Sequence, residues 1–199
     1  MRRSFKTKNA GLTLLELMIT LAIVAIIVSL SVPSFSSFRA TQRLIGAAEQ
    51  LYGSLQQARS ESIARNVPAY VNFAADGSEV WTYGTSSETS LCDVSITSPT
   101  STGACVLVID DGNGITDSAD LVLMRSSSDA FQDVSMSISN FSSGNTQIEF
   151  SPVRGMASAG QVDLQTENDN RLRIKISLLG RVFLCSPNGS VAKYSSSGC

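Results

Sequence analysis

One stretch near the N-terminus constrains this chain more than any other. Residues 12–32 are almost entirely apolar, and Glu16 is their only charged residue. A helix of ~20 apolar residues matches the ~30 Å hydrocarbon core of a bilayer. A carboxylate inside such a segment costs on the order of 2.5–3.5 kcal/mol, so Glu16 is expected to have a specific role.

The residues before this stretch form a short basic leader that ends at Gly11. It has no acidic residue and contains four cations: Arg2, Arg3, Lys6 and Lys8. Leader, glycine and apolar helix together resemble the prepilin signal of type IV pilins and type II secretion pseudopilins. The resemblance implies that a prepilin peptidase cuts after Gly11 and methylates Leu12, which makes Glu16 the fifth mature residue. Pro33 lies where many members of this family kink the first helix.

Two other interpretations of the same stretch stay open. A secretory signal peptide would place a small-residue cleavage site after the apolar run and would lack the glutamate. A plain signal anchor would keep Glu16 near the lipid headgroups by snorkelling.

The distribution of charge indicates what the mature chain binds and which side of the membrane it faces. The chain has 15 basic and 17 acidic residues, and removing the four leader cations leaves 11 against 17, a net charge of −6. A mature chain of that sign is not a general nucleic-acid binder. The basic leader keeps the N-terminus cytoplasmic, so the remainder faces outward, into the periplasm before assembly and outside the cell in a pilus.

The cysteines agree with an oxidising compartment. There are four, all in the outward part of the chain: Cys92, Cys105, Cys185 and Cys199. Four cysteines allow three pairings, and short loops favour Cys92 with Cys105 and Cys185 with Cys199. A zinc site is the alternative, but the chain has no C-x-x-C spacing and no histidine. The lack of histidine also excludes Ser-His-Asp and Cys-His catalysis, and we expect the chain to have no enzymatic activity.

A helical pattern continues after the apolar stretch. Small and apolar residues recur at spacings of three and four on one face: Leu44, Ala48, Leu51, Leu55, Ala58 and Ser62. We therefore expect one helix over residues 12–65, membrane-spanning to about residue 33, kinked at Pro33. Its second half would cover a globular head, with a coiled-coil dimer as the alternative.

Residues 66–199 change to the alternating pattern of strands. Val67–Phe73 and Val80–Tyr83 flank an Asp76-Gly77 turn and predict a hairpin. The Ser-rich segments 126–129 and 139–144 are expected to be loops. Further predicted strands are 106–109, 121–124, 134–138, 146–150, 161–165, 171–178 and 181–185.

Three elements of the head resemble the GspH/FimT group of minor pilins and pseudopilins. Asp110-Asp111-Gly112-Asn113-Gly114 resembles the family's D-x-N-x-N-G turn. Ile148–Pro152 with Gly155 is similar to its F-x-P-x-G element, and Gly180-Arg181-Val182 to its closing G-R-V. The resemblance implies an α+β pilin fold, a long N-terminal helix packed on an antiparallel sheet. It also implies that Glu16 offsets the positive N-terminus of a neighbouring subunit.

The Asp-rich turn is also a candidate calcium site. Its oxygen-bearing side chains are of the type that calcium prefers: Asp110, Asp111, Asn113, Asp117 and Asp120. The spacing does not match an EF-hand, since Ile115 occupies a ligand position and no glutamate closes the loop. A self-capped Asx turn explains the same residues.

Basic residues near the C-terminus form a candidate contact surface. Arg171, Arg173 and Lys175 alternate on one strand face, and Arg181 and Lys193 could join them. Some FimT-like relatives take up DNA through a G-R-x-R element, but Phe183 replaces its second arginine here. A solvated basic face that contacts partner subunits or a sheet edge is the alternative.

The resemblance therefore implies a minor type IV pilin that primes or caps assembly at or near the pilus tip. Its partners would be other minor and major pilins, the prepilin peptidase and the inner membrane. A minor pseudopilin of type II secretion and a DNA-binding subunit for natural transformation are the alternatives.

Overall fold

The computed structural model describes residues 13–87, 91–109, 112, 117–139, 141 and 146–199, without the side chains of residues 30–34. The chain divides into two compact units, Met1–Arg39 and Ala40–Cys199. Helix α1 covers Leu14–Arg65 and supplies residues to both units.

Both ends of α1 have recognisable capping residues. At the start, the Thr13 hydroxyl oxygen accepts the Glu16 backbone N–H at 3.2 Å. Thr13 and Glu16 occupy the first and fourth positions of the T-x-x-E capping pattern. At the end, Asn66 follows Arg65 with φ 56°, a left-handed conformation that terminates helices, and Pro68 prevents continuation.

The first unit exposes its apolar side chains. Between Leu14 and Val28 the large apolar side chains are at least half exposed, for example Leu14 at 77% and Leu21 at 61%. Among the residues that the structure describes, no helix meets the length and hydropathy that a membrane crossing requires. The predicted span of residues 12–33 includes Leu12 and side chains 30–33, which lie outside the described part, and it stays a prediction.

The second unit contains the β structure. Its ten described strands are β1 Ala69–Ala74, β2 Thr82–Ser86, β3 Val106–Val108, β4 Leu121–Leu123, β5 Arg125–Ser127, β6 Val134–Ser139, β7 Gln147–Phe150, β8 Gly160–Thr166, β9 Arg171–Ile176 and β10 Val182–Cys185. Two four-stranded sheets have the orders β5-β2-β1-β7 and β10-β9-β8-β6, and β3 pairs with β4. The strand pairs are antiparallel. The predicted α+β pilin fold is confirmed.

One element differs from the sequence prediction. Residues 126–129 were expected to form a loop, but Arg125–Ser127 form strand β5 and Ser128–Ala130 a 3-10 turn. Strand β5 has no alternating apolar pattern because its side chains are Arg-Ser-Ser. It is a strand because its backbone pairs with β2, from Gly84↔Arg125 to Thr82↔Ser127.

The core joins α1 to both sheets. The six stripe residues of α1 are at most 1% exposed. Their apolar members share one buried cluster with side chains from both sheets, among them Val71, Ile148, Leu164 and Ile174. The stripe is therefore covered by the chain's own head. Burying a large aliphatic side chain contributes about 1.5–3 kcal/mol, so this contact is a main source of stability.

Candidate functional site

The predicted processing site comes directly before the described start of α1 in the sequence. Gly11 and Leu12 are outside the described residues, so their predicted cleavage and methylation stay predictions. Glu16 lies in the first turn of the helix, where a carboxylate interacts favourably with the helix dipole. Its backbone bond to Thr13 is a role that the sequence analysis missed, although the T-x-x-E spacing was a sufficient signal.

Pro33 lies inside the continuous range of α1. Its side chain is outside the described part, and the predicted kink stays a prediction.

The structure has two disulfides, Cys92–Cys105 and Cys185–Cys199, the pairs that short loops favour. Gly84 of β2 leaves space for the first, because a Cβ there would lie 2.8 Å from the Cys105 sulfur. The second connects the end of β10 to the C-terminus. Both pairs therefore close loops of the head unit.

Two of the family-like elements meet at one point of the head. A Cβ on Gly180 would lie 1.8 Å from the Gly155 carbonyl oxygen, and Gly180 has φ +67°. Only glycine satisfies both conditions. Arg59 of α1 donates to that same carbonyl at 3.3 Å and to the Leu179 carbonyl at 3.5 Å. These two elements therefore build the junction between helix and head.

Three predicted contact residues share the outer face of β9. Arg173 makes a two-point ion pair with Asp163 of β8, at 2.6 and 2.9 Å. This hydrogen bond to Asp163 raises the pKa of the Arg173 guanidinium. Arg171 donates to Gln165 at 2.7 Å, and the Lys175 ammonium to the Gly198 carbonyl at 2.9 Å. The face is contiguous, but each cation has a partner within the chain.

Arg181 and Lys193 are held differently. The Arg181 guanidinium lies 5.2 Å from the centre of the Phe183 ring, a cation–π arrangement. Lys193 donates to Glu49 of α1 at 2.6 Å, and the Tyr194 hydroxyl donates to the same oxygen at 2.6 Å. The hydrogen bonds from Lys193 and then Tyr194 lower the pKa of Glu49. DNA binding by these five cations stays a prediction, testable by mobility shift at two salt concentrations.

The Asp-rich turn is described only in part. Asp110, Asp111 and Asn113 lie outside the described residues. Asp117 accepts the Ala119 N–H at 2.7 Å, and the buried Asp120 accepts the Asp117 N–H at 2.9 Å. The bond between Asp117 and Ala119 forms an Asx turn. Within the described part of the chain, no group of three or more His, Cys, Asp or Glu residues is placed to hold a metal ion.

Comparisons with known proteins connect these features. The family described as "Type II transport protein GspH" matches residues 47–180, and the prokaryotic N-terminal methylation motif matches residues 6–32. The chain belongs to the GspH family. The first match covers the helix–head junction and ends at Gly180, and the second covers Gly11, Leu12 and Glu16. The predicted membership of the GspH/FimT group, and with it of the minor pilins and pseudopilins, is confirmed.

Two solved structures are similar to this GspH-family chain over about seven-tenths of its length. A crystal structure of the type IV minor pilin FimU of Pseudomonas aeruginosa is 17% identical, with a TM-score of 0.43, covering 74% of this chain and 91% of that one. The minor pseudopilin EpsH of Vibrio cholerae is 10% identical, with a TM-score of 0.42, covering 71% and 94%. No curated protein matches the chain.

Proposed function

We propose that this GspH-family chain is a minor type IV pilin, a structural subunit that primes or caps a pilus at or near its tip. The basic leader orients the chain in the inner membrane. The prepilin peptidase then cuts after Gly11 and methylates Leu12, and the subunit assembles with other minor and major pilins. The head faces the periplasm before assembly and the exterior afterwards.

The exposed apolar surface of α1 between Leu14 and Val28 carries this proposal. Apolar side chains lie on every side of that segment, whereas the segment after Ala40 has one buried stripe. A helix that is apolar all round needs an apolar environment, which is lipid before assembly and neighbouring helices afterwards. The match to the methylation motif over residues 6–32 supports the same interpretation.

Glu16 would set the register of each subunit against its neighbour. In a low-dielectric surrounding, a carboxylate and an amine attract far more strongly than in water. Each group would be costly to bury alone. The methylated amine of Leu12 on one subunit and Glu16 on the next would therefore be stable only together, at one axial offset.

A minor pseudopilin of type II secretion is the second candidate. The matched family, which is described as a type II transport protein, favours it. Both candidates use the same processing and the same helix packing, and they differ in the filament that receives the subunit.

Mass spectrometry of the mature N-terminus tests the proposal. In cells that have the peptidase, we expect the chain to begin at a methylated Leu12. Gly11→Val should retain the leader and remove the subunit from sheared filaments, whereas Ala10→Val, the matched control, should be processed normally. A mature chain that begins after residue 33 would contradict the proposal. Deleting the pilus or the secretion genes in turn identifies the receiving filament.

A further inference from the structure

A groove of about 370 Å³ lies between α1 and the edge strand β10. Glu49 and Tyr52 of α1 line one side, and Tyr194 of the C-terminal loop contributes as well. Residues 182–184 of β10 line the other side. The groove therefore runs along a sheet edge, where backbone groups are open to pairing.

The hydrogen-bond register shows which backbone groups of β10 face the groove. Ser177 donates to the Arg181 carbonyl at 3.0 Å, which makes these residues a hydrogen-bonded pair. Hydrogen-bonded and non-hydrogen-bonded pairs alternate along an antiparallel ladder. Val182 and Leu184 are therefore in non-hydrogen-bonded pairs with β9, and their N–H and C=O groups point away from that strand. Ser186, the next residue in this series, donates outward to the Ser195 carbonyl at 3.0 Å.

Val182 and Leu184 thus present two consecutive outward positions of an edge strand. β9 is the strand paired with them, and no other residue in the described part of the chain bonds to their outward N–H and C=O groups. Such a row of backbone donors and acceptors is a template for another strand.

Two other sheet edges of the head, those of β6 and β7, are covered. On β6, Met136 exchanges backbone bonds with the turn at Gly77 and Ser78, at 2.9 and 3.1 Å. On β7, Glu149 accepts the Ser158 N–H at 3.1 Å, and Phe150 bridges to Ala157. The open edge at β10 therefore contrasts with edges that the chain protects itself.

We propose that this groove binds an extended, acidic segment of another protein as an added strand on β10. Main-chain bonds to Val182 and Leu184 would supply the pairing, as in other cases of strand addition. Alternate side chains of an added strand point to opposite faces. One set would enter the groove against Tyr52 and Leu184 and should be apolar. The other set would lie beside Phe183 on the outer face.

The charges around the groove indicate which side chains the added strand should carry on its outer face. Arg181 lies over the Phe183 ring, and Lys175 is the register partner of Phe183. Glu49, the carboxylate among the groove-lining residues, is already paired with Lys193, so this pair adds no net charge. Carboxylates on the outward positions of the added strand would therefore pair with cations.

A second copy of this chain is a poorer occupant. Pairing two β10 edges would place Arg181 and Lys175 of one copy on the same outer face as the corresponding cations of the other. Like charges across paired strands are destabilising. The same cations attract a segment with alternating carboxylates.

Two synthetic peptides of about six residues, the usual strand length, test this inference. One alternates Val with Asp and the other Val with Lys, and each is added to the full, ¹⁵N-labelled chain in detergent micelles. We expect the Val/Asp peptide to slow amide exchange of Val182 and Leu184 about tenfold at saturation. The Val/Lys peptide should bind more weakly.

Two variants locate the binding. Leu184→Pro removes an outward N–H that makes no ladder bond and should abolish binding. Arg181→Glu keeps every backbone group and should reverse the preference between the two peptides, so it tests the inference even if the proline variant misfolds. A scrambled Val/Asp peptide of equal composition is the control.

Two results would overturn the inference. One is the absence of protection at Val182 and Leu184 at roughly 1 mM peptide, the weak limit of specific recognition. The other is a concentration-dependent dimer that already protects both amides without peptide, which would assign the edge to a second copy. Neither result bears on the processing of Gly11 or the role of Glu16, so the inference and the proposed function fail separately.

Discussion

The apolar side chains of helix α1 are exposed in its first part and buried in its second. In the first, Leu14 and Leu21 are 77% and 61% exposed, and in the second, Leu44 and Leu51 are fully buried. The second part has a stripe at spacings of three and four that its own sheets cover. The first part has no stripe because it is apolar on all sides. One end of the helix is therefore buried in the chain's own core, and the other end leaves its apolar surface exposed.

The largest expected effect on folding is in the second part. Leu51→Ala should lower the free energy of unfolding by about 2–5 kcal/mol, because it leaves a cavity in the shared core. The matched variant Leu21→Ala should change it by less than about 0.5 kcal/mol. Urea unfolding followed by the fluorescence of Trp81, the only tryptophan and itself 1% exposed, measures both. Equal losses in the two variants would remove the distinction between the two parts.

The C-terminal disulfide should come next. Replacing Cys185 and Cys199 together by serine should cost about 3 kcal/mol, since the bridge closes a loop with a sequence separation of 14. That loop holds Tyr194 against Glu49 of α1. Faster amide exchange around Glu49 should therefore accompany the loss. The Cys92/Cys105 double serine variant is the control, and a similar change in exchange there would argue against a local effect.

Charged residues of the head make contacts within the chain that differ in burial and in expected strength. Arg173 and Asp163 are about one-fifth exposed and pair within the head. Asp163→Asn should lower the free energy of unfolding by about 1 kcal/mol, more than an exposed pair and less than a fully buried one. Arg181→Ala, which breaks a contact with an exposed ring, should cost less in the same urea titration. The reverse order would indicate that the outer face of β9 does not contribute to stability.

The smallest effect concerns the contact between Glu49 and Lys193, which is half exposed. The folded-state pKa of Glu49 lies below its ordinary value of 4.5. The contact therefore stabilises the head above that value, and the contribution is lost as the pH falls through the folded-state pKa. Glu49→Gln should lower the urea midpoint at neutral pH and match the parent chain in acid. A gap that widens in acid would have the wrong sign.

The local patterns of the sequence predicted much of this. The period of Leu44–Ser62 gave the buried face of α1, and short loops gave both cysteine pairs. Local patterns suffice here because a helix stripe repeats within two turns and each disulfide joins cysteines near in sequence.

Contacts that depend on register were not predicted. Strand β5 has polar side chains and exists only because β2 pairs with it. The Asp163–Arg173 pair requires the register of β8 on β9, and the Gly155–Gly180 crossing requires two distant loops to meet. The register of β9 on β10 decides which residues of β10 have outward backbone groups, and the sequence alone does not reveal that register.

The incorporation of Glu16 variants into filaments tests the central claim most directly. Glu16→Ala should leave the Trp81 unfolding curve unchanged and reduce the subunit in sheared filaments at least about tenfold, the effect of roughly 1.4 kcal/mol in assembly. Thr13→Ala is the matched control, because it removes the helix cap that Glu16 shares and keeps the carboxylate. It should assemble nearly normally. Equal incorporation of Glu16→Ala and the parent chain would contradict the account.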